Sequence, residues 1–181
     1  MKISLKAITE ISVAVALAVI FNFIPLWKMP QGGSISLEML PILVIALRWG
    51  VKEGLLAGIV YGMLQLAFNP FIIHPMQLIL DYPLPYMLLG FSGVFKKQVD
   101  KYMDKKINIY IIISLLLGGV LRLVTHVFSG VIFFSQYAPE GANVWMYSII
   151  YNASFIIPSL IVCYIIIAIF KKKIIFLPKE Y

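Results

Sequence analysis

Apolar stretches follow one another along almost the whole chain, at roughly 7–27, 37–50, 52–69, 74–96, 107–135 and 143–170. A bilayer core about 30 Å thick takes about 20 helical residues to cross, so 181 residues leave room for six spans and short connections. Composition agrees, with 61% apolar residues, 13% charged and a mean hydropathy of +0.95; an ordinary soluble domain is about half apolar and a quarter charged. A water-soluble globule and a large extramembrane domain are both excluded. The expected fold is an all-α integral membrane protein with six transmembrane helices, forming a single membrane domain over 1–181. The second stretch is short for a crossing, which marks it as tilted, kinked or partly interfacial.

The first stretch follows Lys2 and Lys6, as in a signal peptide, but it runs about 20 residues and ends in Pro25, Trp27 and Pro30. That pattern reads as a retained helix with an interfacial tryptophan. An even number of crossings puts both termini on one side. On that side fall Lys2, Lys6, Arg48, Lys52, Lys96, Lys97, Lys101, Lys105, Lys106, Lys171, Lys172, Lys173 and Lys179, thirteen of the fifteen basic residues. Lys28 lies opposite and Arg122 within a span. By the positive-inside rule both termini are cytoplasmic. The net charge of +7 therefore reports topology rather than nucleic-acid contact. Cys163 is the single cysteine and permits no intrachain disulfide. No internal repeat is evident, which removes support for an inverted-repeat transporter.

An ionisable side chain at mid-membrane costs about 2.5–3.5 kcal/mol on insertion scales, so Asp81, Arg122 and His126 each need a partner or a role. Asp81 and His126 each lie about eight residues, roughly 12 Å, from the outer ends of the fourth and fifth spans. Tyr147, Tyr151 and Asn152 occupy the outer turns of the sixth. Helical spacing aligns His74, Gln77 and Asp81 in one stripe, and Ser114, Gly118, Arg122, His126 and Gly130 in another. The expected result is a polar pocket open to the outside. The plain structural alternative is an Asp81–Arg122 ion pair with His126 as a packing residue. An acid, a histidine, the Asn152 amide and the aromatics Tyr82, Phe134, Trp145 and Tyr147 suit a small, flat, heteroaromatic cation.

The chain has no phosphate-binding G-x-x-x-x-G-K-[ST] loop, no H-E-x-x-H motif and no G-x-S-x-G elbow. His74, His126 and Asp81 lack metal-ligand spacing. No cofactor or metal is expected, and energy for uphill movement would come from partners. Small residues recur four apart at Ala14 and Ala18 and at Gly54, Gly58 and Gly62, faces that permit close helix approach. Internal packing is the expected use of the glycines.

Four segments carry a resemblance: Gly32–Leu40 (GGSISLEML), His74–Leu84 (HPMQLILDYPL), Thr125–Phe133 with Tyr137–Pro139 (THVFSGVIF, then YAP) and Tyr147–Asn152 (YSIIYN). With the length and the order of motifs, the chain resembles the thiamine-specific substrate-binding components of energy-coupling-factor (ECF) transporters. The resemblance implies a non-enzymatic subunit of the bacterial cell membrane that takes thiamine from outside. It also implies association with a transmembrane coupling subunit and two ATPases. Asp81 then matches the pocket acid, His126 the histidine against the ligand, and Tyr147 and Asn152 the groups that recognise the aminopyrimidine. Tyr82, Phe134 and Gly130 complete the site, Glu38 matches a second acid, and Ala14 and Ala18 match the face that docks on the coupling subunit. Asp81 stands where some members carry Glu, and Phe134 where some carry a stacking Trp. The alternatives are another vitamin, a hydroxymethylpyrimidine precursor, or a small intramembrane enzyme with Asp81 and His126 as an acid–base pair.

Overall fold

Short polar side chains set where the three longest helices begin. The computed structural model describes residues 3–30, 32–68, 70–105 and 108–176; Lys2, Lys106 and Lys179, counted above among the basic residues, lie outside them. Helix α1 (Leu5–Phe23) starts where the Ser4 hydroxyl accepts from the Ala7 N–H at 3.2 Å. The Asn108 and Asn143 side chains cap α7 (Ile109–Phe133) and α8 (Val144–Ile174) by accepting from Tyr110 and Met146 at 3.1 Å. Each cap satisfies a backbone donor that has no intrahelical partner. These three helices, of 19, 25 and 31 residues, are long and apolar enough to cross a membrane. Helix α8 continues through Pro158 and ends four residues beyond the expected 170, carrying Lys171, Lys172 and Lys173 in its last turn.

Between α1 and α7 the elements are shorter. A two-strand hairpin, β1 (Trp27–Lys28) against β2 (Ser34–Ile35), takes up the end of the first expected span, leaving Trp27 exposed. Helices α2 (Met39–Trp49) and α3 (Val51–Gln65) meet at Gly50, whose φ of 112° is open to glycine and strained for other residues. The expected continuous helix over 74–96 is broken. Helix α4 (Pro75–Asp81) stops at Tyr82, and α5 (Pro83–Leu89) runs on into a 3₁₀ turn at Gly90–Gly93. The cause is Pro83, which has no N–H to give to the preceding turn and disfavours helical geometry at the residue before it. Asp81 thus closes a short helix instead of lying inside a long one. Helix α6 (Lys96–Lys101) is a short charged segment before α7.

The core joins α1, α2, α3, α5, α7 and α8, with Val99 of α6. Its tightest seam is α3 on α5, where a Cβ on Gly58 would lie 2.0 Å from the Tyr86 carbonyl oxygen. The glycine face of α3 is therefore an internal packing surface. Ala14 and Ala18 are internal too, at 7% and 0% exposure. This corrects their assignment as an outward docking face: the small side chains let α1 sit close on α2 and α3, and Ser12 and Ala16 face out instead.

One end of the molecule is held by a polar clamp. Arg48 donates to both carboxylate oxygens of Glu10, at 2.6 and 2.9 Å, and to the Ile175 carbonyl at 3.0 Å. The Trp49 indole N–H also donates to Glu10, at 2.6 Å. Beside it, Lys171 donates to the Lys105 carbonyl and Lys172 pairs with Asp104 at 2.9 Å. The Lys172 hydrogen bond holds the Asp104 carboxyl below its ordinary range. The start of α1 and the end of α8 therefore lie at the same end.

Candidate functional site

At the opposite end, where α1 finishes and α8 begins, lies a cavity of about 510 Å³. The hairpin, the ends of α1 and α3, the α4–α5 break, α7 and α8 all contribute to its wall. It brings together Glu38, Asp81, Tyr82, His126, Gly130, Phe134, Tyr147 and Asn152, the residues singled out from the sequence. Trp145 is not among them; it is 48% exposed and packs edge-on against Phe128 away from the cavity. His74 caps α4 through Nδ1 and stacks on Phe133.

The break after α4 delivers Asp81 to the cavity. The Asp81 Oδ2 accepts from Gln77 one turn earlier at 2.6 Å, and its Oδ1 lies 3.4 Å from His126 Nδ1. Gln77 is itself fixed, giving its amide N–H to the Phe71 carbonyl and accepting from the Ile73 N–H. Tyr82 folds back on the same loop, its hydroxyl accepting from the Phe71 N–H at 2.8 Å. The acid is thus pinned by a loop instead of by a continuous helix.

Deeper in, Arg122 and Glu38 form the buried ion pair, at 3.1 Å and with 4% and 5% of their side chains exposed. The expected alternative of an Asp81–Arg122 pair is corrected, because the guanidinium reaches across to the start of α2. Glu38 accepts from Arg122 and Tyr86 on one oxygen and from Tyr61 and Gln65 on the other. With four donors, this carboxylate is fully engaged by the protein, as a buried charge requires. Tyr61, Gln65 and Tyr86 are the functional surroundings that sequence reasoning missed. The only signal was the spacing of Tyr61 and Gln65, four apart on a helix that is otherwise apolar or small after its first turn.

The α8 wall supplies aromatics and an amide. Tyr147 and Tyr151 stack with ring centroids 6.0 Å apart, and Phe155 meets His126 edge-on at 6.1 Å. The Asn152 amide N–H donates to the Ser148 carbonyl at 2.9 Å, while its Oδ1 accepts nothing among the described residues. That oxygen is open to a donor from within the cavity. Gly130 lets α7 pack closely on α8 here, since a Cβ there would fall 2.2 Å from the Ser148 hydroxyl. Phe134 lies 6.1 Å from Phe71 and 6.2 Å from Tyr137, forming an aromatic rim. Tyr151 and Gly33 hold the hairpin over this wall, through a 2.8 Å bond from the Tyr151 hydroxyl to the Gly32 carbonyl and close packing of Gly33 on Phe155. A carboxylate backed by an imidazole, flat aromatic walls and a free amide oxygen together suit a planar cation with an exocyclic amine.

Comparison with known proteins agrees with this chemistry. The family model described as thiamine transporter protein (Thia_YuaJ) matches residues 8–178. The thiamine transporter ThiT of Bacillus subtilis (strain 168) is 41% identical over 172 residues, covering 91% of this chain and 90% of that protein. Its namesake from Lacticaseibacillus paracasei is 29% identical over 173 residues, covering 91% and 86%. The solved structure of ThiT from Listeria monocytogenes superposes with a TM-score of 0.87 at 34% identity, covering 96% of this chain and 98% of that one. With the family model spanning nearly the full sequence, the chain belongs to the thiamine transporter protein (Thia_YuaJ) family.

Proposed function

We propose that this protein captures thiamine from outside the cell and serves as the substrate-specific subunit of an ATP-driven ECF transporter. The carrying observation is the Asp81–His126 pair in a cavity walled by aromatic rings, with Asn152 Oδ1 open to a hydrogen-bond donor. Asp81 faces the thiazolium charge, and His126 and Phe134 flank that ring. Tyr147 stacks on the aminopyrimidine, whose amino group donates to Asn152. Tyr82 and Gly130 shape the wall. Glu38, engaged by Arg122, Tyr86, Tyr61 and Gln65, supports the site instead of pairing with the ligand.

The chain forms one domain with six crossings in the bacterial cell membrane. The clamp that gathers the start of α1, Arg48 and the end of α8 at one end supports placing both termini together on the cytoplasmic side, where the lysines collect. The cavity then faces outward. ATP is hydrolysed by two partner ATPases, and the coupling subunit docks on the lipid-facing side of α1. There Ser12 and Ala16 border an apolar groove completed by Leu56, Val60 and Leu64 of α3.

Equilibrium titration of the purified protein by intrinsic tryptophan fluorescence tests the ligand. Saturable binding of thiamine below micromolar concentration, tighter than for hydroxymethylpyrimidine, is the expected result. Absence of saturation at micromolar thiamine would remove the proposal.

A further inference from the structure

Arg122 lies one helical turn before His126 on α7 and is 4% exposed. Its three nitrogens do different things. Nη2 donates to Glu38 and to the Tyr86 hydroxyl, at 3.1 and 2.9 Å, while the guanidinium carbon sits 4.2 Å from the Tyr86 ring centroid. Nη1 is buried and makes no hydrogen bond among the described residues. Nε faces His126 Nε2 at 3.4 Å.

A guanidinium N–H donates and cannot accept, so the imidazole nitrogen it meets must carry a lone pair. An imidazolium has a proton on both nitrogens and would set two donors against each other. The remaining proton of His126 therefore sits on Nδ1, the atom 3.4 Å from the Asp81 carboxylate. We infer that Arg122 is a positioning residue for the ligand site: its Nε–H fixes His126 as the neutral Nδ1–H tautomer and so keeps Asp81 from being neutralised by an imidazolium.

The charges then sort into two sets. Arg122 and Glu38 compensate each other in the buried part of the cavity wall, and Asp81 retains its negative charge beside a neutral ring, matched to a ligand with one positive charge. The charged groups acting on His126 are Asp81 from α4, Arg122 from its own helix and Glu38 from the start of α2. Tyr86 of α5 contacts Arg122, whereas α8 presents uncharged Asn152 and Phe155 to the histidine. Lys28 of the hairpin and Tyr147 line the same cavity. The inference rests on the thiamine reading only for the charge of the ligand.

The test has two arms. In protein labelled with [15N]histidine, the chain has two histidines, so His126→Gln assigns the His126 signals against those of His74. The expected result is a protonated Nδ1 and an unprotonated Nε2 from about pH 8 down to about pH 6, through the range in which a free imidazole titrates. An Nε2–H tautomer, or an imidazolium at neutral pH, would overturn the inference whether or not thiamine binds.

In the second arm, thiamine affinity is followed over the same range. It stays flat in the unmodified protein. In the double variant Arg122→Met/Glu38→Gln, which removes both charges together, His126 is free to take a second proton and affinity falls roughly fourfold between about pH 8 and about pH 6. Adding His126→Gln to that pair abolishes the new pH dependence. A double variant that binds with the flat profile of the unmodified protein would show Arg122 to be structural only. Should the double variant fail to fold, the tautomer measurement on the unmodified protein still decides. Absence of thiamine binding to unmodified protein would strike the proposed function, and not the tautomer.

Discussion

Asp81→Asn separates the charge of the pocket acid from its shape. The side chain keeps its size and an oxygen for the Gln77 amide, which donates to Asp81 at 2.6 Å. What it loses is the negative charge. A thiazolium about 4 Å from a carboxylate gains about 4 kcal/mol at an effective dielectric of 20. Asp81 is 18% exposed and so partly screened by water, which lowers the expected gain to about 2–3 kcal/mol, or roughly 30- to 150-fold in affinity. The neutral hydroxymethylpyrimidine half has no charge to lose against Asn and should weaken by no more than about 1 kcal/mol, roughly fivefold. Both ligands are titrated by tryptophan fluorescence in the same detergent and salt, with thermal unfolding as the control for folding. Equal losses for thiamine and for the pyrimidine half would refute the pairing of Asp81 with the cation.

Four further substitutions probe other parts of the molecule. Ala16→Trp, on the exposed side of α1, should abolish co-purification with the coupling subunit while thiamine binding by the isolated protein persists; the same change at Ala18, which is 0% exposed, should instead lower thermal stability. Asn152→Leu removes the free Oδ1 and should cost both thiamine and its pyrimidine half about 1–3 kcal/mol, measured by the same titration. Gly58→Val sets a Cβ 2.0 Å from the Tyr86 carbonyl oxygen and should destabilise the fold by several kcal/mol, read as a large drop in melting temperature in detergent.

The pocket was legible because burying polar groups in a membrane is costly, so Asp81, His126 and Asn152 stand out against an apolar background without any knowledge of packing. Spacing along a helix shows which residues share a face, but not which neighbouring helix meets that face. That is why the partner of Arg122 remained open in the sequence, with Asp81 offered where the structure has Glu38. The same gap misdirected the alanine pair. From Ile11 to Phe21 every residue of α1 is apolar or small, so no polar face distinguished Ala14 and Ala18, turned inward, from Ser12 and Ala16, turned outward. The break at Tyr82 was written in Pro83 and Pro85, but continuous hydrophobicity outweighed that signal in the expected span. Trp145 fell outside the cavity because it begins α8 on the side facing Phe128.

The backbone-to-backbone seam between α3 and α5 has a consequence for how this architecture diversifies. Its geometry leaves no side chain free to vary without separating the helices, and the Glu10–Arg48–Ile175 clamp fixes the far end as firmly. The hairpin, Gln77 and Asp81 of α4 and the first turns of α8 line the cavity without belonging to that seam. A descendant that carries a different vitamin would be expected to rewrite those outer segments and inherit the rest unchanged. The fold in this sense is a permanent chassis with an exchangeable mouth.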